Sequence, residues 1–551
     1  MNRTYSALPA TLLGLTLLAA CGVDSDDDGQ IPPADASADT TGDAAGDAGA
    51  DAAADSNVES IAPSLEFLLI ENPAMKLGAI LTISSSIATT VEIEARDVDG
   101  VVVWSQSVDS VTEEVEVNAF GFRAQSSYSL TATATTEDGG SDSVERPFTT
   151  AELPDDLPTI MVNVSQPDRM AAGYTLFSVF RWLPDADSGW GYLLAVDNSG
   201  EVVWFYRADH RIQDARLLAN GTIIYDSNDE AAYRIDLSGN VLENWTDDVL
   251  GIGALHHEMF PLPNGNYATL GAEVMEDFGP YLQGDSEVVY DVVGDLIVEF
   301  TPAGEVVHRY SLFDIFDPLT DRTDLFNTTS WDTHFELEGS KDWSHGNAII
   351  HDPSDDTFII SLRHMHALVK IDRTTGDLVW RMGPGQFGDF SLAGDAAWQY
   401  AQHAPEITGE NRILLFDNGN ARPIGGGETP YTRAVEFEYI APTESARGSV
   451  TQRWEYRADE SESHYAPFLG DADLIGDTVL ITEGGLTSDA SLTVGDAANI
   501  KSARIREVTY TDAPEVVFEI VLSADPEAGI GEPTGYSVYR SERISTLGST
   551  E

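Results

Sequence analysis

From about residue 159 to the C-terminus the chain repeats one two-part phrase, and an internal repeat constrains the fold more than any other feature of the sequence. The first part is a pair of β-rich runs around a Gly, Asn or Asp turn: LLANGTIIY at 217–225, PLPNGNYATL at 261–270, HDPSDDTFIIS at 351–361, ITGENRILLF at 407–416 and LIGDTVLIT at 474–482. The second is a turn followed by an outgoing strand: DNSGEVVWFY at 197–206, IDLSGNVLENW at 235–245, FTPAGEVVHRY at 300–310 and IDRTTGDLVWRMG at 371–383. Five complete phrases, the strands before Tyr206 and the closing segment Tyr536 to Ile544 make about six four-stranded units. The expectation is an all-β chain with a six-bladed β-propeller over 159–551, its last blade zipped together by the two ends of the repeat region. An open β-solenoid is the alternative, but irregular spacing and the long insertion at 313–344 suit a propeller better.

Ahead of the repeats, short alternating runs such as Thr90 to Ala95, Gly100 to Trp104 and Tyr128 to Thr135 are separated by Asp-Gly and Gly-Gly turns. They read as a β-sandwich of immunoglobulin or fibronectin type over 58–152, closed by Pro154-Asp155-Asp156-Leu157-Pro158. Nothing in it resembles a catalytic constellation, so spacing, docking or homodimerisation is its expected use.

The first residues have the features of an export signal. Arg3 precedes an apolar run from Leu12 to Leu18, too short for a permanent membrane helix, and Leu18-Ala19-Ala20 stands directly before Cys21, the only cysteine. Residues 1–20 are therefore expected to be a signal peptide, and Cys21 resembles the lipidated residue of bacterial lipoproteins. Residues 21–57 are mostly Asp, Ala, Gly and Ser, an acidic disordered tether with little to bury. Asp24, Asp26 and Asp28 fall at calcium-loop spacing, but no flanking helices are present to complete a hand. Gly22 after the anchor is not the Asp that would retain a lipoprotein at the inner membrane. The expected location is the outer membrane, on its periplasmic or outer face, with the lipid as the only membrane contact. A formal net charge of −64 makes nucleic acid and anionic membrane surfaces poor partners.

Chemistry-bearing residues recur at matching points of the repeat. His345 and Arg363 stand at the two ends of one hairpin in DWSHGNAIIHDPSDDTFIISLRH. Counting nine residues back from Asn266 reaches His257, and eight back from Asn411 reaches His403. That register matches His257 with His403, and period-two alternation sends His256 to the opposite face. If these strands are innermost, three imidazoles and a guanidinium converge on the central channel, with Asn347 two residues beyond His345. His256, His351, His364 and His366 read more simply as structural or surface residues. Three histidines could instead hold zinc, but the neighbouring arginine would repel the ion and no carboxylate in these motifs completes a site.

The segments HHE…PNGN, DWSHGN, SLRH, KIDRTTGDLVWRMG, QH and FDNGN, with the C-terminal YRSERI, resemble the bacterial arylsulfotransferases that take sulfate from a phenolic ester rather than a nucleotide. The resemblance covers roughly residues 160–545. It implies that His403 is the nucleophile, transiently sulfated, that His257, His345 and Arg363 complete the catalytic set, and that Asn347 and His256 contact substrate. It further implies a phenolic sulfate donor, a phenolic acceptor, ping-pong turnover, and neither metal nor cofactor. Ala404-Pro405 departs from the family's usual Asp-Ala after the nucleophile, and the loop that follows is one residue shorter. That departure motivates a competing expectation, a surface-displayed binding propeller without turnover; a metal-dependent hydrolase or lyase is a third.

Overall fold

The structure, a computed structural model, describes residues 60–548 apart from 182–188, 229–230, 284–285, 322–326, 329–330, 386–387, 424–429, 459–464, 488–500 and 524–534. The signal segment, Cys21 and the tether lie outside the described residues. Among the described residues the architecture is all-β, with α-helix confined to two single turns, Asp247–Leu250 and Leu312–Ile315.

Each phrase of the repeat folds into one antiparallel sheet. Ile212–Leu217, Ile223–Ser227, Ala231–Ile235 and Val241–Thr246 pair in chain order, and Gly346–Asp352 through Leu378–Met382 repeat the arrangement. The turns follow from residue type: Gly221, Gly265 and Gly476 have φ of 78°, 84° and 60°, where a side chain is disfavoured, and Asn411 and Asp356 adopt the same region at 55° and 54°. Tryptophans of the outgoing strands tie one sheet to the next. Trp204 Nε1 donates to Leu237 O at 2.8 Å, Trp245 to Pro302 O at 2.9 Å and Trp454 to Thr511 O at 3.0 Å, each reaching the following turn. The indole fills the space between sheets while its one polar atom finds a backbone acceptor.

Six edge strands, Ile212–Leu217, Leu255–Pro261, Gly346–Asp352, His403–Gly409, Asp471–Ile475 and Tyr536–Ile544, each touch the next, and the last touches the first. Two sheets close across the chain. Tyr536–Ile544 pairs with Tyr174–Arg181, and Val516–Ser523 pairs with Thr159–Ser165. Gly484 permits one close approach: a Cβ there would lie 1.8 Å from Val538 O.

The insertion 313–344 returns to the sheet that it leaves. Lys341–Asp342 pairs in parallel with Val292 and Val293 of the long hairpin Tyr267–Gln283 and Ser286–Phe300. This delivers Asp342 and Ser344 to the start of Gly346–Asp352. Ahead of the ring, a three-stranded and a four-stranded antiparallel sheet share one core containing Phe67, Leu81, Ile93 and Leu130. Their strands bury alternate residues, as in Ala79–Ser85. Met75, Leu77 and Phe120 pack instead into the core that contains Leu176, Tyr192 and Leu547, and Arg123 Nε donates to Asp197 Oδ2 at 2.7 Å. The N-terminal sheets are thus packed against the ring by apolar and ionic contacts.

Candidate active site

The edge strands that bear the site are irregular near their starts. Their ladders slip between Ile212 and Ala215, His256 and Met259, Gly346 and Ala348, and His403 and Glu406. His257, His345 and Ala404 there have φ of 69°, 49° and 45°. Bulges re-aim side chains and break period-two alternation. This corrects the expectation for His256, which does not turn away from its neighbour: its Nδ1 lies 2.7 Å from Nδ1 of His257, and the rings meet edge to face at 4.9 Å. The register is corrected too. His403 and His256 are each the last paired residue before the slip, and positive-φ Ala404 and His257 follow them. Counting from the turns missed this because the bulges add unpaired residues.

The expected residues nevertheless come together. The His257 ring lies 5.2 Å from His345 and 5.9 Å from Tyr539. His345 stacks on His364 at 4.5 Å, and the charge of Arg363 acts on His403. Neighbouring groups fix which nitrogen of each imidazole is available. Asn418 uses its amide hydrogens on Ala466 O and Leu469 O, both at 2.8 Å, so its Oδ1 is the acceptor facing His403 Nδ1 at 2.6 Å. Nδ1 of His403 therefore carries the proton and Nε2 the lone pair. His345 Nδ1 lies 2.6 Å from Asp342 Oδ2, which frees its Nε2 in the same way.

Arg363 is 8% exposed and forms no ion pair with a carboxylate among the described residues. Its Nη2 donates to Pro467 O at 3.0 Å and its Nη1 to His364 Nε2 at 2.9 Å. His364 can accept because its own Nδ1 faces Asp342 O at 2.8 Å. Buried cations are ordinarily paired. Here the direct partners are neutral acceptors, and the Asp342 carboxylate acts on the guanidinium without forming an ion pair with it. Asp342, His345 and His364 are the one group of acids and histidines among the described residues with metal-like spacing. With His364 Nδ1 directed at a carbonyl and Nε2 accepting from Arg363, that ring has no lone pair left for an ion.

Burial holds the His403 imidazole well below its ordinary pKa, with the Arg363 charge acting in the same direction. Burial and His256 do the same to His257. His364 falls to about 3 and His366 to about 4, chiefly through burial. Asp342 is held well below the carboxylate range, the His345 and His364 rings outweighing the cost of burial.

Asn347 is fully buried, and its Nδ2 donates to Gln402 O at 2.8 Å. Gln402 Nε2 in turn reaches Leu362 O at 3.3 Å and Ala367 O at 3.0 Å, so this pair anchors the residue before His403 across the neighbouring sheet. His366 Nδ1 accepts from Ala401 N at 3.0 Å, and His351 meets Asp356 at 2.9 Å; both fill structural positions. Sequence reading missed Asp342, Asn418 and Tyr539. The Asp three residues before His345, the first Asn of the DNGN run and the Tyr that opens the YRSERI segment were the available signals.

A family model described as Arylsulfotransferase (ASST) matches residues 162–531. The arylsulfate sulfotransferase AssT of Escherichia coli O6:H1 strain CFT073 is 25% identical over 347 residues, 53% of this chain and 54% of that protein. AssT of Lelliottia amnigena is 24% identical over 288 residues, 43% of this chain and 45% of that protein. The chain thus matches about half the length of these curated relatives. BamB from Moraxella catarrhalis aligns with 67% of this chain and all of that structure at 10% identity and a TM-score of 0.25, too low to bear on the fold. With a model match over more than half of its length, the chain belongs to the arylsulfotransferase family.

Proposed function

We propose that the protein transfers a sulfuryl group from a phenolic sulfate ester to a phenolic acceptor through a sulfohistidine at His403. The observation that carries the reading is the buried Arg363, with no ion pair among the described residues, its charge acting on an imidazole whose Nε2 holds a lone pair. Such a pocket suits an anion whose central atom is open to attack.

In the first half-reaction the Nε2 lone pair of His403 attacks sulfur and the bond from sulfur to the aryl oxygen breaks. The guanidinium of Arg363 holds the sulfuryl oxygens, whose charge spreads as the group passes between nucleophile and leaving group. His345 enters as imidazolium, stabilised by Asp342 on its Nδ1 side, and its Nε2 proton passes to the departing phenolate. In the second half-reaction neutral His345 removes the proton of an acceptor phenol. The phenol oxygen attacks sulfur, the N–S bond breaks and the His403 lone pair is restored. His257, kept neutral by its surroundings, supplies a hydrogen-bonding wall. Phenolate is a tolerable leaving group at neutral pH, so the reaction needs no nucleotide donor.

The closed set of six edge strands supports reading the ring as a six-bladed propeller, and the shared core of the two N-terminal sheets supports a sandwich. Export with lipid attachment at Cys21 and placement at the outer membrane is part of the same proposal, which intact-mass measurement of the mature N-terminal peptide tests. For the chemistry, the protein is incubated with 4-nitrophenyl sulfate, with and without phenol, beside a His403→Asn variant. Nitrophenolate release that depends on acceptor and is lost in the variant is expected. Saturable binding of aryl sulfates without release sinks the transfer reading and favours the binding propeller.

A further inference from the structure

A cavity of about 480 Å³ begins one residue beyond His257 and His403, and all six edge strands line it. Arg540 marks the boundary: its Nη2 donates to Asn347 O at 2.8 Å on the histidine side, and its Nη1 meets Glu258 Oε2 at 2.6 Å and Asp214 Oδ1 at 3.2 Å on the cavity side. Arg216 also pairs with Glu258 and Asp214, so these two arginines and two acids balance one another. Arg543, the remaining arginine of the lining, pairs with Glu507 outside it. Glu406, Asp471, Asp473 and Glu542 are left facing the cavity with no ion pair to any described residue. Asp471 is 6% exposed; its Oδ1 takes the Ala472 amide, and its Oδ2 has no hydrogen-bond partner among the described residues.

The geometry points to an aliphatic di- or polyamine bound in this cavity, its ammonium groups on the carboxylates of Asp471, Asp473 and Glu406 and its methylenes on Ile350, Ile407 and Leu474. No three of these carboxylates bring ligand atoms within 4.8 Å of one another, so a bare metal ion has no preformed cage. Carboxylates spread around a cavity with aliphatic wall between them suit positive charges spaced along a hydrocarbon chain. Burial pushes Glu406 and Glu542 up to about 7 and Asp471 and Asp473 well above the usual range. Protons thus replace the missing counter-cation, and an amine displaces them. This site is independent of the sulfuryl-transfer reading.

The test is calorimetric titration of the full-length protein at pH 7 with spermidine and, separately, with CaCl2 at matched ionic strength. Saturable binding of one spermidine is expected, with proton release revealed by comparing buffers of different ionisation enthalpy. Affinity should fall at least about tenfold in the Asp471→Asn, Asp473→Asn double variant, which loses two charge-assisted contacts. It should also fall in Glu406→Gln, on a different strand, and remain unchanged in Glu113→Gln, Glu114→Gln, whose side chains are exposed in a loop between two N-terminal strands. Absence of saturable binding, tighter binding of calcium than of spermidine, or unchanged affinity in Glu406→Gln or the channel double variant overturns the proposal.

Discussion

The same six strands carry opposite chemistry at their starts and farther along. At the starts, bulges and positive-φ residues gather histidines near Arg363, a buried cation with no ion pair among the described residues. Farther along, carboxyl groups without an ion pair line the cavity, and burial favours their protonated form. Arg540, Glu258 and Asp214 separate the two regions with a balanced ionic layer. A propeller-like ring supplies positions cheaply, because every sheet brings one edge strand to the axis. What each position does is set by groups behind it, such as Asn418 behind His403 and Asp342 behind His345.

The largest expected effect is at the histidine end. Replacing His403 with Ala removes the attacking atom and should lower kcat for 4-nitrophenyl sulfate by about 10⁴-fold or more, with circular dichroism unchanged. Arg363→Lys keeps the charge but loses the planar fork, and a loss of about 10²- to 10³-fold in kcat is expected. Retained activity in that variant would show that a positive charge suffices there and that the planar fork is dispensable. Asn418→Ala leaves the nucleophile in place but frees its tautomer, for an expected loss of about 10- to 100-fold. Nitrogen NMR of the His403 ring should then show a mixed tautomer where the wild type shows the Nδ1–H form.

pH separates the two regions more gently. Protonation of His403 Nε2 removes the lone pair, and burial with Arg363 holds that pKa well below the ordinary value. The kcat/KM profile should therefore show no loss near about pH 6.5 attributable to the nucleophile. Stability carries two opposed trends. His364 and His366 stay neutral in the fold down to about 3 and 4, so the unfolded chain binds more protons below about 6.5 and stability falls as pH drops through that window. Glu406 keeps its proton in the fold up to about 7, so the folded chain binds more protons above about pH 4.3 and that contribution is lost as pH rises through 7. The smallest expected effect follows: Glu406→Gln should raise Tm by about 2–4 °C at pH 8 and leave it nearly unchanged at pH 4. A rise of equal size at both pH values would show that the carboxyl is already ionised in the cavity at low pH.

The repeat phrase made much of the strand order legible, because its turns need Gly, Asn or Asp and its outgoing strands need an indole to reach the next turn. The candidate residues His403, His345, His257 and Arg363 were legible because they recur at strand starts. His256 was misplaced, since alternation presumes an unbroken ladder and the slip after it is invisible in residue types. Asn347, expected to contact substrate, is buried: its Nδ2 donates to Gln402 O, 55 residues away in the chain, while its Oδ1 has no hydrogen-bond partner among the described residues.

By itself the sequence determined the β-rich repeat, its turns, the strongly acidic composition and the residue types available for chemistry, because those depend on local sterics and counting. The tertiary structure alone decided which nitrogen of His403 and of His345 is free, that Arg363 has no ion pair among the described residues, and that four acids without an ion pair share one cavity. Those properties are set by contacts between strands far apart in the chain, and by a bulge that shifts a side chain without changing a letter.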